Sequence, residues 1–383
     1  MAPVRWIGLV IGALTLVGTA ASIFTTLVMP RSSPSRLADR TLRAVLRLGT
    51  AVADRLPRYE SKDRVMAVVG PAGLIGLFLV WLLSLLAAYS LILWPLEGGG
   101  LQNAARSAGS ALFTLGLIGG NGQSIPSAPA TAVAMAAAAS APATVALAIA
   151  YLPAIYGAFN RRETLVTLLQ SRAGQPAWGP EIIGRHQLVG IMDQLPGLYS
   201  EWEQWAADLA ETHTTYPVLA LFRSPHALRS WVVGLTAVLD SAAMHLAINP
   251  REAPSQARLC LRMGFTAVRE IAPLWGFHPA ADPRPDDPVS LTFEEFEEGI
   301  ERMREAGVPM ERDAEDAWPH FRGWRVNYEA GLYFLGDLFR TVPAPWSGPR
   351  QGIGEIEPRR PPDRTPDDPE AARYAGGRWL GPE

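Results

Sequence analysis

VMAVVGPAGLIGLFLVWLLSLLAAYSLILW, Val65 to Trp94, is 30 residues without a charge. A helix crosses the hydrocarbon core of a bilayer with about 20 apolar residues, so this stretch is expected to span a membrane. Two more uncharged runs flank it, Trp6 to Met29 and the Ala-rich Ile125 to Phe159. Three spans are therefore expected in the first 160 residues. Alanine adds little to insertion, so the third run suits a helix that faces other helices or water. Pro71, Pro142 and Pro153 lie in or near these runs, and proline is tolerated in membrane helices, where it often makes a kink.

Arginine placement sets the orientation. Residues 31–64 hold nine basic side chains against four acids. By the positive-inside rule this segment is cytoplasmic. Asn160-Arg161-Arg162 after the third run is cytoplasmic on the same ground, and the loop Pro95 to Ser124, with only Glu97 and Arg106, is external. The expected location is a bacterial inner (plasma) membrane, multi-pass, with the C-terminal domain in the cytoplasm. A cleaved leader ending near Val17-Gly18-Thr19-Ala20-Ala21 is the competing reading. It is disfavoured because the apolar run continues past that site and an Arg cluster follows.

Composition narrows the class. The 383 residues carry a formal net charge of −3, one cysteine and 48% apolar side chains. This excludes a disordered chain, a disulfide-stapled secreted domain and a nucleic-acid binder. Lys62 is the only lysine, in keeping with a GC-rich bacterial genome.

The basic linker has a pattern of its own. Leu42, Val45, Leu46 and Val52 recur near helical spacing, while Arg36, Arg40, Arg43 and Arg47 fill another face. One reading is an amphipathic helix on the inner membrane surface, with those arginines on anionic headgroups. The other is a helix packed against the cytoplasmic domain.

The external loop carries the functional signal. Asn103 to Phe113 is long enough for about three helical turns, and Thr114-Leu115-Gly116-Leu117-Ile118-Gly119-Gly120 follows. A Gly-rich strand between a short helix and a membrane helix can present backbone carbonyls to an ion. A helix whose C-terminus points into the membrane turns its negative dipole end toward a cation. The order of outer helix, short helix, Gly-rich strand and inner helix resembles the pore region of the two-span potassium-channel superfamily. Ala111-Leu112-Phe113-Thr114-Leu115-Gly116 is similar to the pore-helix end and the first half of that family's Thr-Val-Gly-Tyr-Gly-Asp filter. The whole chain also resembles a group of actinobacterial membrane proteins with this region. The resemblance implies a filter lined by Thr114, Leu115, Gly116, Leu117 and Gly119, with Thr114 coordinating the ion. Ile118 stands at the second Gly, or, with one residue inserted, Gly119 takes it; either way the outer half is non-standard. The implied assembly is a homotetramer conducting a monovalent cation, with Pro142 as a gating bend or a static kink. A Gly-rich external hairpin without conduction is the alternative. In that case the protein is a membrane-anchored scaffold or sensor acting through its cytoplasmic domain.

From Arg161 to Val342 the periodicity is helical, and no alternating strand pattern stands out. Helices are expected over Glu181–Leu195, ended by Pro196-Gly197, and over Leu198–His213, His226–Ile248 and Ser255–Ala272. Two more are expected, from a capping box at Thr292 to about Ala306 and over Asp313–Thr341. His226–Ile248 is long enough to span, but Arg229, Asp240 and His245 interrupt it. It reads as a buried central helix, with a fourth span as the other option. Residues 343–383, with nine prolines, are expected to be disordered.

No chemistry is visible in this part. The histidines form no His-x-x-x-His or Glu-x-x-His pair, and Cys260 reads as a packed hydrophobe. Walker, Gly-x-Gly-x-x-Gly and Gly-x-Ser-x-Gly motifs are absent. The expectation is an all-α membrane protein with no enzyme activity, cofactor or metal. Its segments are 1–30 (first span), 31–64 (basic linker), 65–160 (pore-loop domain), 161–342 (cytoplasmic helical domain) and 343–383 (tail).

Overall fold

The computed structural model describes residues 2–29, 35–97, 99–115 and 127–347, together with 356 and 359. Twelve α-helices occupy them: α1 Ala2–Leu27, α2 Arg36–Ala53, α3 Tyr59–Leu96, α4 Leu101–Leu112, α5 Ala128–Ala173, α6 Gly179–Leu188, α7 Leu195–Thr215, α8 Trp231–Ile248, α9 Ser255–Ile271, α10 Phe293–Glu305, α11 Ala314–Arg325 and α12 Glu329–Leu338. Among the described residues no strand forms beyond one isolated bridge, Gln175 to Arg359. Four helices are long and apolar enough to cross a membrane, within α1, α3, α5 and α8. The chain divides into two compact units, 1–48 with 69–157, and 49–68 with 158–383.

In the first unit α1 lies against α3 through two glycines one helical turn apart. A Cβ on Gly12 would stand 2.8 Å from the Ala88 carbonyl oxygen, and one on Gly8 would stand 3.1 Å from the Trp94 ring. Small residues at this spacing let helix backbones approach closely. The Trp81 indole is wholly buried and donates to Ser22 Oγ at 2.9 Å, which lies 2.6 Å from Ser35 Oγ. Ser35 in turn accepts from the Ala38 N–H at the start of α2. α2 is amphipathic as expected: Ala38, Leu42 and Leu46 are buried, while Arg36, Arg40 and Arg47 are exposed. Most of the apolar surface on α1 and α3 stays uncovered, including Trp6, Ile7, Leu14, Ile75 and Leu83.

The second unit is built around α8. All its residues, Trp231 to Ile248, are buried, with α6, α7, α9, α11 and α12 packed against it. The elements before and after α8 also touch each other, α7 against α9 and α6 against α10. The Thr292 capping box forms, with Glu295 N–H donating to Thr292 Oγ1 and Thr292 N–H donating to Glu295.

Four expectations change in detail. Pro196 sits in the first turn of α7 and starts that helix, because a first-turn proline forfeits no intrahelical bond. The Asp313–Thr341 helix is two helices, broken between Arg325 and Glu329. Residues 54–64 of the expected linker belong to the helical unit. There Arg223 donates to Asp63 at 2.6 Å and to the Tyr59 hydroxyl at 2.8 Å, while Arg340 pairs with Asp54 at 2.9 Å. Within the expected tail, Ala344 and Trp346 are core residues, since Trp346 packs against Phe296, Phe321 and Trp178, and most of residues 348–383 lie outside the described residues.

Candidate pore loop and buried charge networks

α4 is short, 12 residues, and starts behind Gly100 without a side-chain cap. Its Ala104, Ala108, Ala111 and Leu112 join one apolar core with Leu77, Trp81, Leu85, Tyr89 and Leu93 of α3 and Ala130, Ala137 and Ala141 of α5. Side chains this small let α4 sit close to α3: a Cβ on Gly109 would lie 3.6 Å from Leu86. Partial burial raises the Glu97 carboxyl above its ordinary value, and a Ser107 hydrogen bond opposes the rise.

The carboxyl end of α4 closes on a left-handed residue. Thr114 has φ 53°, its N–H donates to the Ala111 carbonyl, and the Leu115 N–H donates to the Ser110 carbonyl at 2.9 Å. This pair of bonds is the Schellman closure, in which glycine is the usual left-handed residue. A β-branched side chain there is strained. The Thr114 hydroxyl donates to the Phe113 carbonyl at 2.8 Å, and Leu115 is 58% exposed. Of the other filter candidates, Gly116, Leu117 and Gly119 lie outside the described residues. Pro142 sits on the exposed side of an uninterrupted α5, beside buried Ala141 and Thr144. Of the headgroup candidates, Arg43 is half-buried and bonds Asp39 at 2.8 Å, while Arg36, Arg40 and Arg47 are exposed.

The helical unit holds charge in its interior. Arg162 is buried in α5. Its guanidinium donates to Glu163, to His213 Nε2 at 3.1 Å and to the Leu219 and Phe222 carbonyls. Since arginine only donates, His213 Nε2 must accept, which leaves Nδ1–H to donate to the Leu209 carbonyl at 3.0 Å. His213 is thus neutral. Burial, then the Arg162 charge, holds its pKa well below the ordinary value. Deeper still, Arg325 bonds Asp240 at 2.5 Å, Glu329 at 2.8 Å and the Trp346 carbonyl, and Tyr328 donates to the same Asp240 oxygen at 2.7 Å. Burial opposes the Arg325 charge, yet Asp240 and Glu329 keep it more firmly protonated than usual. Glu181, also fully buried, accepts from Arg302 at 2.7 Å and Arg185 at 3.1 Å.

Sequence reasoning placed Arg162 at a membrane flank and Asp240 as a break in a span. It did not find their partners, which lie 51 to 121 positions away for the pairs Arg162–His213, Arg325–Asp240 and Arg302–Glu181. The only available signal was that charges recur inside otherwise apolar helices. In two of these networks one buried carboxylate oxygen has no hydrogen-bond partner among the described residues, Asp240 Oδ2 and Glu163 Oε2. Among the described residues, no three His, Cys, Asp or Glu side chains come together as a metal site. Cys260 is fully buried, and burial pushes its thiol pKa up. No protein-family model matches the chain, and no curated protein or solved structure matches it.

Proposed function

We propose that residues 65–160 supply one quarter of a cation pore, completed by four copies of the chain around a common axis. The observation that carries this reading is the burial of α4 in the core shared by α3 and α5. An external hairpin would leave that helix in water, whereas a re-entrant helix needs this packing. The exposed surfaces agree. α1 and α3 present Trp, Ile and Leu, which suit lipid, while α5 presents alanines, which suit close contact with another helix, among exposed Met135, Val145 and Ile149. In an 18-residue window of α5 only 22% is buried within the chain, leaving this surface for neighbouring subunits. Thr114 and Leu115 begin the filter, Gly116, Leu117 and Gly119 continue it, and Pro142 loosens the inner helix by removing one backbone donor.

The positive-inside reading also gains support. Residues 49–68 and 158–383 form a single compact unit, which requires the basic linker's end and the C-terminal part to lie on one side of the bilayer. Because α7 meets α9 and α6 meets α10, α8 is read as a protein-buried helix and not a fourth span. On this reading, with three spans and the basic linker inside, the unit lies in the cytoplasm at a bacterial inner membrane.

The test is cation flux into liposomes with particle mass measured in detergent. Wild type should run as four copies and conduct, and Gly116→Ala should keep the mass while losing flux. A monomeric particle, or no flux under any cation gradient, removes the pore. The second reading is a non-conducting membrane anchor whose helical unit binds a partner. It is favoured by the left-handed turn at Thr114, which closes α4 off before the glycine run. No catalytic role is assigned under either reading.

A further inference from the structure

In the membrane unit α2 runs back along α3 with its apolar side inward. Ser35, just before α2, meets Ser22, which accepts from the Trp81 indole, and a Cβ on Gly76 would lie 3.5 Å from Val45. With α1 and α3 as spans, that register fixes a depth. Gly8 meets Trp94, so Trp94 and the exposed Trp6 stand together at the outer end of the pair, and indoles favour the interface. Gly76 stands 18 residues before Trp94, about 27 Å along a helix, and the hydrocarbon core is about 30 Å thick. Val45 and the arginines on its flanking turns therefore stand where the core gives way to the inner headgroups. Arg36, Arg40 and Arg47 are exposed. The single acid in residues 36–48, Asp39, bonds Arg43 at 2.8 Å, so no acid of this stretch offsets the outward charge. Leu48, next to Arg47, and Ile75 and Leu79 of α3 are also exposed, so the charged face belongs to a surface that is otherwise apolar.

We propose that this face of α2 binds anionic phospholipid of the inner leaflet, Arg36 and Arg40 donating to the phosphate oxygens while the acyl chains lie on the exposed apolar surface of α3. The planar guanidinium fork matches two oxygens of a phosphate diester. An acidic protein would meet the charges but not the apolar surface at this depth. The inference rests on reading α1 and α3 as spans and not on conduction.

Native mass measurement of the full chain, taken from micelles holding equal phosphatidylglycerol and phosphatidylcholine, counts the lipids it keeps. Wild type should keep phosphatidylglycerol over phosphatidylcholine by about tenfold or more, since each arginine near the headgroups contributes about fivefold. Arg36→Gln combined with Arg40→Gln should cut that preference by about tenfold. Arg258→Gln, at an exposed arginine of α9, should leave it unchanged. Raising salt from about 0.05 to about 0.5 M should shrink the wild-type preference, because exposed charges are screened. Glycerol phosphate at equal concentration should not displace the lipid, as it has no chains to bury. Equal retention of the two lipids in wild type, an undiminished preference in the double variant, an equal loss in Arg258→Gln, or displacement by glycerol phosphate overturns the site. Should the double variant fail to fold, the wild-type salt series decides: a preference that salt does not move overturns the proposal. A particle that runs as one copy without flux breaks the pore alone, and its lipid count still reads this site.

Discussion

α3 and α8 are both apolar enough to cross a bilayer, yet the chain treats them in opposite ways. In α3 a third of the most apolar window is covered by protein (33%), and in α8 all of it is (100%). The apolar surface of α3 is left open, as on a helix suited to lipid, and that of α8 is covered by five neighbouring helices. The difference lies in what else each helix carries. α3 has no charge from Val65 to Trp94, so nothing in it resists hydrocarbon. α8 carries Asp240, which only a protein interior can match with Arg325 and Tyr328. Apolar length opens two solutions, and one buried acid with its partner selects between them.

The sharpest way to break that contrast is to strand Asp240. Arg325→Met should destabilise the helical unit by about 3–5 kcal/mol, because a buried charge is left uncompensated. Chemical unfolding followed by tryptophan fluorescence reads this, and a loss below about 1 kcal/mol would show that the pair does not hold α8 in place. In the membrane unit the corresponding change is Gly12→Leu. The side chain would enter space held by the Ala88 carbonyl and Leu91, and overpacking of this kind costs about 1–3 kcal/mol. Thermal unfolding in detergent should fall for Gly12→Leu and stay level for Gly18→Leu, where a Cβ meets nothing within 4 Å.

Acid should separate the regions as well. His213 and His186 have pKa values lowered mainly by burial. The unfolded chain therefore binds protons that the folded chain refuses. Stability should be complete above about pH 7 and fall below about pH 6.5, by at most about 1.4 kcal/mol per pH unit for each such histidine. Unfolding midpoints from pH 8 to 5 test this, and His213→Gln should lessen the slope by one proton. Asp240, which burial raises to about 6, takes up a proton on folding and offsets part of this slope, so an identical slope in wild type and His213→Gln is the result that would contradict the neutral tautomer. The smallest effect is expected at the surface: Thr292→Ala removes half of the capping box and should cost about 1 kcal/mol.

Local features of this fold were legible in the sequence, and distant ones were not. The three uncharged runs coincide with α1, α3 and α5, since apolar length is a property of neighbouring residues. The Thr292 capping box was readable for the same reason. The α4 helix was visible from Asn103 to Phe113, but its burial against Leu77–Leu93 was not, because alanine faces leave no strong periodic mark. α5 runs on to Ala173 through Asn160-Arg161-Arg162, where a flanking charge pair suggested a boundary. The pairing of Arg162 with His213, which makes that continuation tolerable, is a tertiary event. Trp346 was lost inside a proline-rich stretch, although one aromatic ring packed on Phe296 and Phe321 is enough to anchor its neighbours. For the candidate filter, Thr114-Leu115 could be placed after a helix, but not its left-handed closure.

The burial of Cys260 has a practical consequence. The chain owns a single sulfhydryl, and it is fully covered and kept protonated by its surroundings. Maleimides should leave the native protein unlabelled, so cysteines introduced one at a time at Leu115 and Arg40 can report which face of a sealed vesicle each occupies, with no background to subtract.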